Sequence, residues 1–436
     1  MSSFKKNSFI FFINILLFIQ ILTKQEVPQR PRVLVSTDIG GTDPDDNQSM
    51  THLMMYTDLF DLEGLVSSPS YGEGSKEEIL RMIALYEKDY TNLKHCYPNL
   101  LSPNDLRSLS KQGRKGLSSF KGYGEPTEGS EWIITQARKE SDRPLWVLVW
   151  GTLEDLAQAL HDAPDIEPNI RVYYIGGPNK KWGSNSYSYI AENFPNLWII
   201  ENDATYRGFI FNQKFDTENK YGKGYYDYAI KDMGILGADF INYYKGVIKM
   251  GDTPSLLYMM DGDPEDPLGE SWGGSFEKIK YSSRRIIDLN EIQKNNISFS
   301  CPVYSIIEFH LKGPEKSINK DIPCFNITID KQVWQGYYNE NGDYVARYAP
   351  KASSSLTYLT SSDINELNNI SGNFEVTLQW PGEPHEDDYI VGDNWYTDKQ
   401  AKDLFEDNWQ GCRTVRKWRN EILEDWAQRW KCLKQQ

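Results

Sequence analysis

The run LWVLVW at 145–150 constrains the fold of this chain more than any other stretch. Six consecutive apolar residues are too few to cross a membrane, and they do not alternate with polar ones as a half-exposed strand would. A run of this kind is buried on both faces, the pattern of an interior strand in a parallel sheet. Related runs stand at 33–35 (VLV), 62–67 (LEGLVS), 170–175 (IRVYYI) and 197–200 (LWII). Helical patterns at 77–90, 132–139 and 153–160 separate them. The alternation predicts an α/β layered domain with a mainly parallel sheet over 30–290. Ligands of such sheets gather at the carboxyl ends of the strands. The polar breaks at 38–46, 67–74, 151–154, 176–185 and 201–203 are therefore the places to look.

The first break carries the most chemistry. In VLVSTDIGGTDPDDN (33–47) a strand pattern stops at Asp38, passes two glycines and a proline, and reaches Asp45 and Asp46. Met50, Leu53 and Met54 then follow with helical spacing. Four carboxylates within nine residues, Asp43 included, repel one another unless a cation or protons neutralise them. That density points to a hard ion with oxygen ligands. Helix capping accounts for Asp45 or Asp46, but not for Asp38 at the strand end.

A formal net charge of -15 and the lack of a basic patch argue against a nucleic-acid polymer as partner. A small glycoside or a neutral polysaccharide fits better. Residues 1–25 place Lys5 and Lys6 before a short apolar segment, read as a cleaved secretory signal. The expected location is secreted or extracellular, or periplasmic in a bacterium, with no membrane contact after cleavage. A signal-anchor helix is the alternative. Secretion makes the five cysteines candidates for disulfides. Cys301 and Cys324 form the simplest pair, and Cys96 is the loner. Cys412 and Cys432 bracket what reads as one helix, which would hold them roughly 30 Å apart. None has zinc-ligand spacing.

From 298 to 380 the pattern changes to short β-rich pieces such as ITID (327–330), YVARY (344–348) and FEVTL (374–378), which predicts a small antiparallel β-sandwich. The tail, 398–433, reads as helix again, with Trp418, Ile422, Trp426 and Trp430 at every fourth residue. Asn296, Asn326 and Asn369 begin glycosylation sequons. Asn47 begins another, beside the acidic cluster, where it should stay bare. Trp272 is either a stacking platform or a core residue.

The 33–47 stretch resembles the amino-terminal signature of the nucleoside hydrolases, Asp-x-Asp-Pro-Gly-x-Asp-Asp after an apolar strand. Asp38 falls on that signature's second aspartate and Asp45-Asp46 on its closing pair. Ser36 stands at the first, and Asp43 is extra. The likeness is greatest to a secreted nucleoside-hydrolase-like group, some of whose members are described as cellulose-binding. Three further stretches extend the resemblance. Glu154, in WGTLEDLA, sits where a main-chain carbonyl binds calcium. Asp252 sits where the last calcium carboxylate lies, and Gly251 replaces the histidine that assists the leaving nucleobase. The YIGG run at 174–177 resembles a strand end followed by sugar-binding asparagines, here Asn179, Asn185 and Asn202. The run Gly342 to Pro350 resembles an immunoglobulin-like module found with some glycoside hydrolases. The tail resembles the group's closing helix, so the sandwich (298–380) would be an insertion before a C-terminal helix (398–433) that packs back on the α/β domain.

The resemblance implies a Ca²⁺ site made of Asp38, Asp46, Asp252 and the Glu154 carbonyl. Asp38 would take a proton from a metal-bound water attacking the anomeric carbon, and Asp45 would accept bonds from sugar hydroxyls. The implied activity is calcium-dependent hydrolysis of N-glycosidic or related glycosidic bonds. The alternative is a non-catalytic protein on the same fold that binds a cellulose-like polysaccharide. Gly251 and Ser36 favour the binder, and the retained aspartates favour the enzyme.

Overall fold

The computed structural model describes residues 29–434 except 217–218, 296 and 316–318. The expected signal segment and the sequon at Asn296 lie outside the described residues. Among the described residues no helix is long and apolar enough to cross a membrane.

The VLV run forms β1 (Arg32–Thr37), buried along its whole length. Val33 and Val35 enter one hydrophobic core and Leu34 enters another, as the twofold period of a strand between two layers requires. There follow β2 (Asp61–Ser67), β3 (Ser110–Gln112), β4 (Leu145–Val149), β5 (Ile170–Ile175), β6 (Ile199–Asn202) and β7 (Phe276–Lys278). Helices Asp45–Met55, Lys76–Cys96, Thr253–Met260 and Arg419–Lys431 cover the first core. Helices Glu128–Ala137, Glu154–Asp162 and Ser184–Asn193 cover the second.

The chain then builds a second sheet and comes back. The strands after β7 are β8 (Tyr281–Ser282), β9 (Arg284–Asp288), β10 (Phe299–Pro302), β11 (Ile306–Lys312), β12 (Pro323–Ile329), β13 (Gln332–Tyr338) and β14 (Asp343–Tyr348). The last four are β15 (Ser354–Ser361), β16 (Ser371–Thr377), β17 (Tyr389–Ile390) and β18 (Trp395–Asp398). The first sheet has the order β3-β2-β1-β4-β5-β6-β18-β7, parallel except for the antiparallel edge pair β18–β7. Strand order reverses between β1 and β4, so the ends of these two strands flank the sheet's switch point.

The second sheet runs β10-β16-β15-β12-β13-β14-β11-β9. In a flat ladder β11 and β16 would lie roughly 24 Å apart at about 4.8 Å per strand. Yet the rings of Phe309 on β11 and Phe374 on β16 stand 6.1 Å apart. The sheet therefore folds over on itself around one core, which makes it a sandwich. It begins at Arg284, earlier than the change in sequence pattern suggested. Two buried cations tie it to the first domain. The Arg347 guanidinium donates to Glu308 (2.7 Å) and to the Phe120 carbonyl (2.8 Å). Lys180 Nζ lies 3.1 Å from both Glu201 and Asp203 and 4.0 Å from the Trp380 ring centre.

Two expectations need correction. Cys301 and Cys324 are free thiols, and the disulfide joins Cys96 to Cys432. β10 and β12 lie three strands apart in the ladder, roughly 14 Å, beyond the reach of a disulfide. The tail is not one helix from 398. Trp395–Asp398 is a strand, Lys402–Leu404 a single 3₁₀ turn, and the main helix is Arg419–Lys431. Trp395, Tyr396 and Thr397 favour a strand, and the Asp398 carboxylate anchors its end by accepting the N–H groups of Ala204 (2.7 Å) and Thr205 (3.2 Å). Trp426 and Trp430 are fully buried in the α/β core, against Tyr225, Phe240 and His52.

The sandwich also carries a pH response. Burial pulls the His310 imidazolium down, but hydrogen bonds to Asp343 and Glu308 and their charges outweigh it and lift it to about 9. A histidine raised above its unfolded value of about 6.5 stabilises the fold fully below that pH, and the contribution is lost as pH rises through 9. Denaturant midpoints of wild type should fall between pH 6.5 and 9 by more than those of His310→Gln. Parallel curves would contradict this.

Candidate functional site

A cavity of about 370 Å³ opens at the switch point, walled by the ends of β1, β2, β4 and β5 and by the starts of two helices. Asp38 follows β1 directly. Gly151 lets the loop after β4 press against it, since a Cβ there would come 2.8 Å from Asp38 Cβ. Asp45 and Asp46 form the first turn of helix Asp45–Met55, and Thr37 holds Asp46 through its hydroxyl. Asp252 stands at the N-cap position of helix Thr253–Met260 without a side-chain capping bond, and Thr253 ties that helix to Ser49 of the first one (3.1 Å).

Carboxylate oxygens of Asp45, Asp46 and Asp252 lie within 4.8 Å of one another. Asp38 lines the same cavity beside Asp46 but stands outside that trio. Burial, then the charge of a neighbouring aspartate, pushes Asp45, Asp46 and Asp252 well above the usual carboxylate range. Those neighbours are Asp43, Asp38 and Asp45 respectively. Burial also raises Asp38, with hydrogen bonds from Ser70 and Asp46 opposing. Asp252 Oδ2 is buried without a hydrogen-bond partner. Five aspartates face three cationic side chains, Arg207, Lys249 and Lys351, a formal surplus of two negative charges when every group is ionised. Asp43, the extra acid of the loop, pairs with Lys249.

The other residues singled out in the sequence divide. Asn179 lines the cavity. Its amide nitrogen is committed to the carbonyls of Trp150 (2.9 Å) and Ile175 (3.0 Å), which leaves its side-chain oxygen for a ligand. Asn185 donates to the Ser118 carbonyl (3.1 Å), and Asn202 bridges Tyr173 and the Tyr206 N–H. Neither lines the cavity. Glu154 does not line it either. Its buried side chain accepts from the Ser118 N–H (3.0 Å), and burial lifts it to about 7. Asn47 is buried and donates to Glu78 (2.6 Å), so its sequon is closed. Trp272 packs partly buried against the α/β core, away from the acids.

Sequence reasoning did not single out Ser70, Tyr71, Trp182, Tyr206, Arg207, Lys249 or Lys351, all in the wall. The first three lie inside polar breaks at strand ends, so position alone would have suggested them. Lys351 follows β14 of the sandwich, and nothing local in the sequence marks it. No histidine is among the lining residues. Where the resemblance expects one stands Gly251, and a Cβ there would come 2.9 Å from Asp45 Oδ2.

A family model described as "Cellulose-binding Sde182, nucleoside hydrolase-like domain" matches residues 32–276. Among solved structures, a nucleoside hydrolase-related hypothetical protein from Saccharophagus degradans, associated with carbohydrate metabolism, is 18% identical. That match covers 80% of this chain and 100% of the other, with a TM-score of 0.49. An inosine-uridine preferring nucleoside hydrolase from Bacillus anthracis is 16% identical over 58% of this chain and 86% of its own, with a TM-score of 0.37. A purine-preferring ribonucleoside hydrolase from Gardnerella vaginalis is 15% identical over 58% and 84%, also with a TM-score of 0.37. No curated protein matches the chain.

Proposed function

We propose, from the premise that the chain belongs to the cellulose-binding Sde182 nucleoside hydrolase-like family, that the switch-point cavity is a calcium-dependent site hydrolysing a glycosidic bond. The observation that carries this reading is the convergence of Asp45, Asp46 and Asp252 within 4.8 Å. The donors fit a hard divalent cation: they are all oxygen, one buried oxygen lacks a partner, and the wall holds a formal surplus of two negative charges. Bound there, calcium would cancel that surplus and supply Lewis acidity toward a water or a sugar hydroxyl.

The rest of the work falls to the protein. Asp45, half-buried and open to the cavity, accepts hydrogen bonds from sugar hydroxyls, and the Asn179 oxygen accepts another. Asp38 stands at the cavity wall beside Asp46 and receives the proton of the attacking water. The protein acts as an exported one, and the Cys96–Cys432 disulfide supports an oxidising compartment. A second reading, carbohydrate binding with no turnover, draws on the absence of any imidazole among the lining residues.

Chelated protein should be assayed on nucleosides and on β-linked oligosaccharides with and without added calcium. Turnover restored by calcium supports the hydrolase. Sugar binding tightened by calcium without turnover selects the binder, and turnover indifferent to chelation overturns the cation site. Stability supplies an independent check. Carboxyls raised on folding stabilise the protein below their unfolded value, near 3.8, and that contribution is lost as pH rises through their folded values. Calcium should therefore stabilise the protein far more at pH 7.5 than at pH 4. At a hundredfold excess over its dissociation constant the gain is about 2.7 kcal/mol. Asp252→Asn should lose most of it.

A further inference from the structure

We propose that Tyr71 and Trp182 form a second sugar subsite at the mouth of the cavity, so that the ligand is an oligosaccharide running outward toward the sandwich rather than a nucleoside. The inference rests on the reading of the acidic cavity as a sugar site and names its substrate class. Both rings line the cavity. Their centres stand 4.7 Å apart with planes at 43°, and Tyr71 is 60% exposed. Trp182 is backed by Trp334 of β13, parallel within 3° at 6.0 Å, and Lys181 Nζ lies 4.8 Å from the Trp182 ring centre and 5.1 Å from that of Trp334. Lys181 is fixed in turn by Gln332 (2.5 Å). The stack thus crosses the junction between the two domains, and the sandwich also sends Lys351 to the rim.

The chemistry of this mouth suits a pyranose. One face of a β-linked hexopyranose is a layer of C–H bonds that packs on an aromatic ring, while its edge hydroxyls need polar neighbours. The rings supply the first, and Thr42 and Lys351 in the same wall supply the second. A sugar held by Asp45 deep in the cavity would leave its next residue against Tyr71 and Trp182. The platform is open on the solvent side at Tyr71, so further residues of a chain have room to continue. The inserted sandwich acquires a role here: it stiffens one wall of a cleft that the α/β domain alone would leave unsupported.

The test is calorimetric titration of the full protein, calcium present, with glucose and with β-1,4-linked gluco-oligosaccharides of two to six units. Wild type should bind the longer oligomers more tightly than glucose. Tyr71→Ala should lose about tenfold for the oligomers, leave glucose unchanged, and be rescued by Tyr71→Phe. Trp182→Phe should show a smaller loss of the same kind. Wild-type affinity independent of length overturns the proposal, and so does Tyr71→Ala binding every oligomer as wild type does. Failure of all oligomers to bind while inosine or uridine binds in a Tyr71-dependent way also overturns it. Asp252→Asn separates this from the cavity reading. If that variant and calcium removal leave glucose and oligomer binding alike untouched, the cation site fails while the subsite stands on its own length dependence.

Discussion

Asp38→Asn is expected to lower turnover by roughly 10²–10⁴-fold, the usual contribution of a general base. The substitution preserves shape and removes one charge from a crowded acidic wall. It should therefore leave the melting temperature unchanged or higher, because Asp46 loses its largest source of repulsion. It should also leave calcium stabilisation in place, since Asp38 lies outside the trio of converging oxygens. Asp252→Asn should remove turnover and calcium stabilisation together. The resemblance by itself implies that base and metal ligand are one residue, and the two variants distinguish that arrangement from the one proposed here. Full activity in Asp38→Asn sinks the mechanism whatever the substrate. Loss of calcium stabilisation in Asp38→Asn would return Asp38 to the ligand set.

Removing the disulfide should have the largest effect on stability. Cys96 ends one helix of the α/β core and Cys432 follows the last one, 336 residues later. A crosslink closing so long a loop restricts the unfolded chain strongly, on the order of 3–5 kcal/mol. The cost should be concentrated in the tail, whose grip on the core is Trp426, Trp430, Ile422 and Leu433. Cys432→Ser, with Cys96→Ser to avoid a free thiol, should lower the denaturant midpoint and expose the C-terminal helix to proteolysis first. A change below about 0.5 kcal/mol, the range of an ordinary surface substitution, would show that tryptophan packing alone holds the tail.

Three acids of the cavity were legible in the sequence because local physics places them. An apolar run buried on both faces must be an inner parallel strand, and its carboxyl end must meet the ligand edge of the sheet. Asp38, Asp45 and Asp46 share one loop of nine residues between such a strand and a helix, so their proximity needed no tertiary information. Asp252 was reached through likeness to a helix-opening motif, and it does stand just before a helix that packs on the first one. Asn185 and Asn202 show the limit of that approach. Likeness along the chain gives a residue's position but not the direction of its side chain, and both turn out to serve hydrogen bonds within the protein.

The tertiary structure decided the rest. Whether Cys301 meets Cys324 depends on the order of strands in a folded-over sheet, and Cys96 meets Cys432 only because two helices far apart in sequence cover the same face. The return of β18 to the first sheet and the reach of Lys351 into the cavity are likewise consequences of closure. Contacts of this kind join segments hundreds of residues apart. Their energy comes from burying surfaces that recognise shape and apolarity rather than a motif, so no local pattern announces them. Four of the five acids in the wall were written in one loop. The aromatic wall beside them, and the sandwich that supports it, came together only when the chain folded.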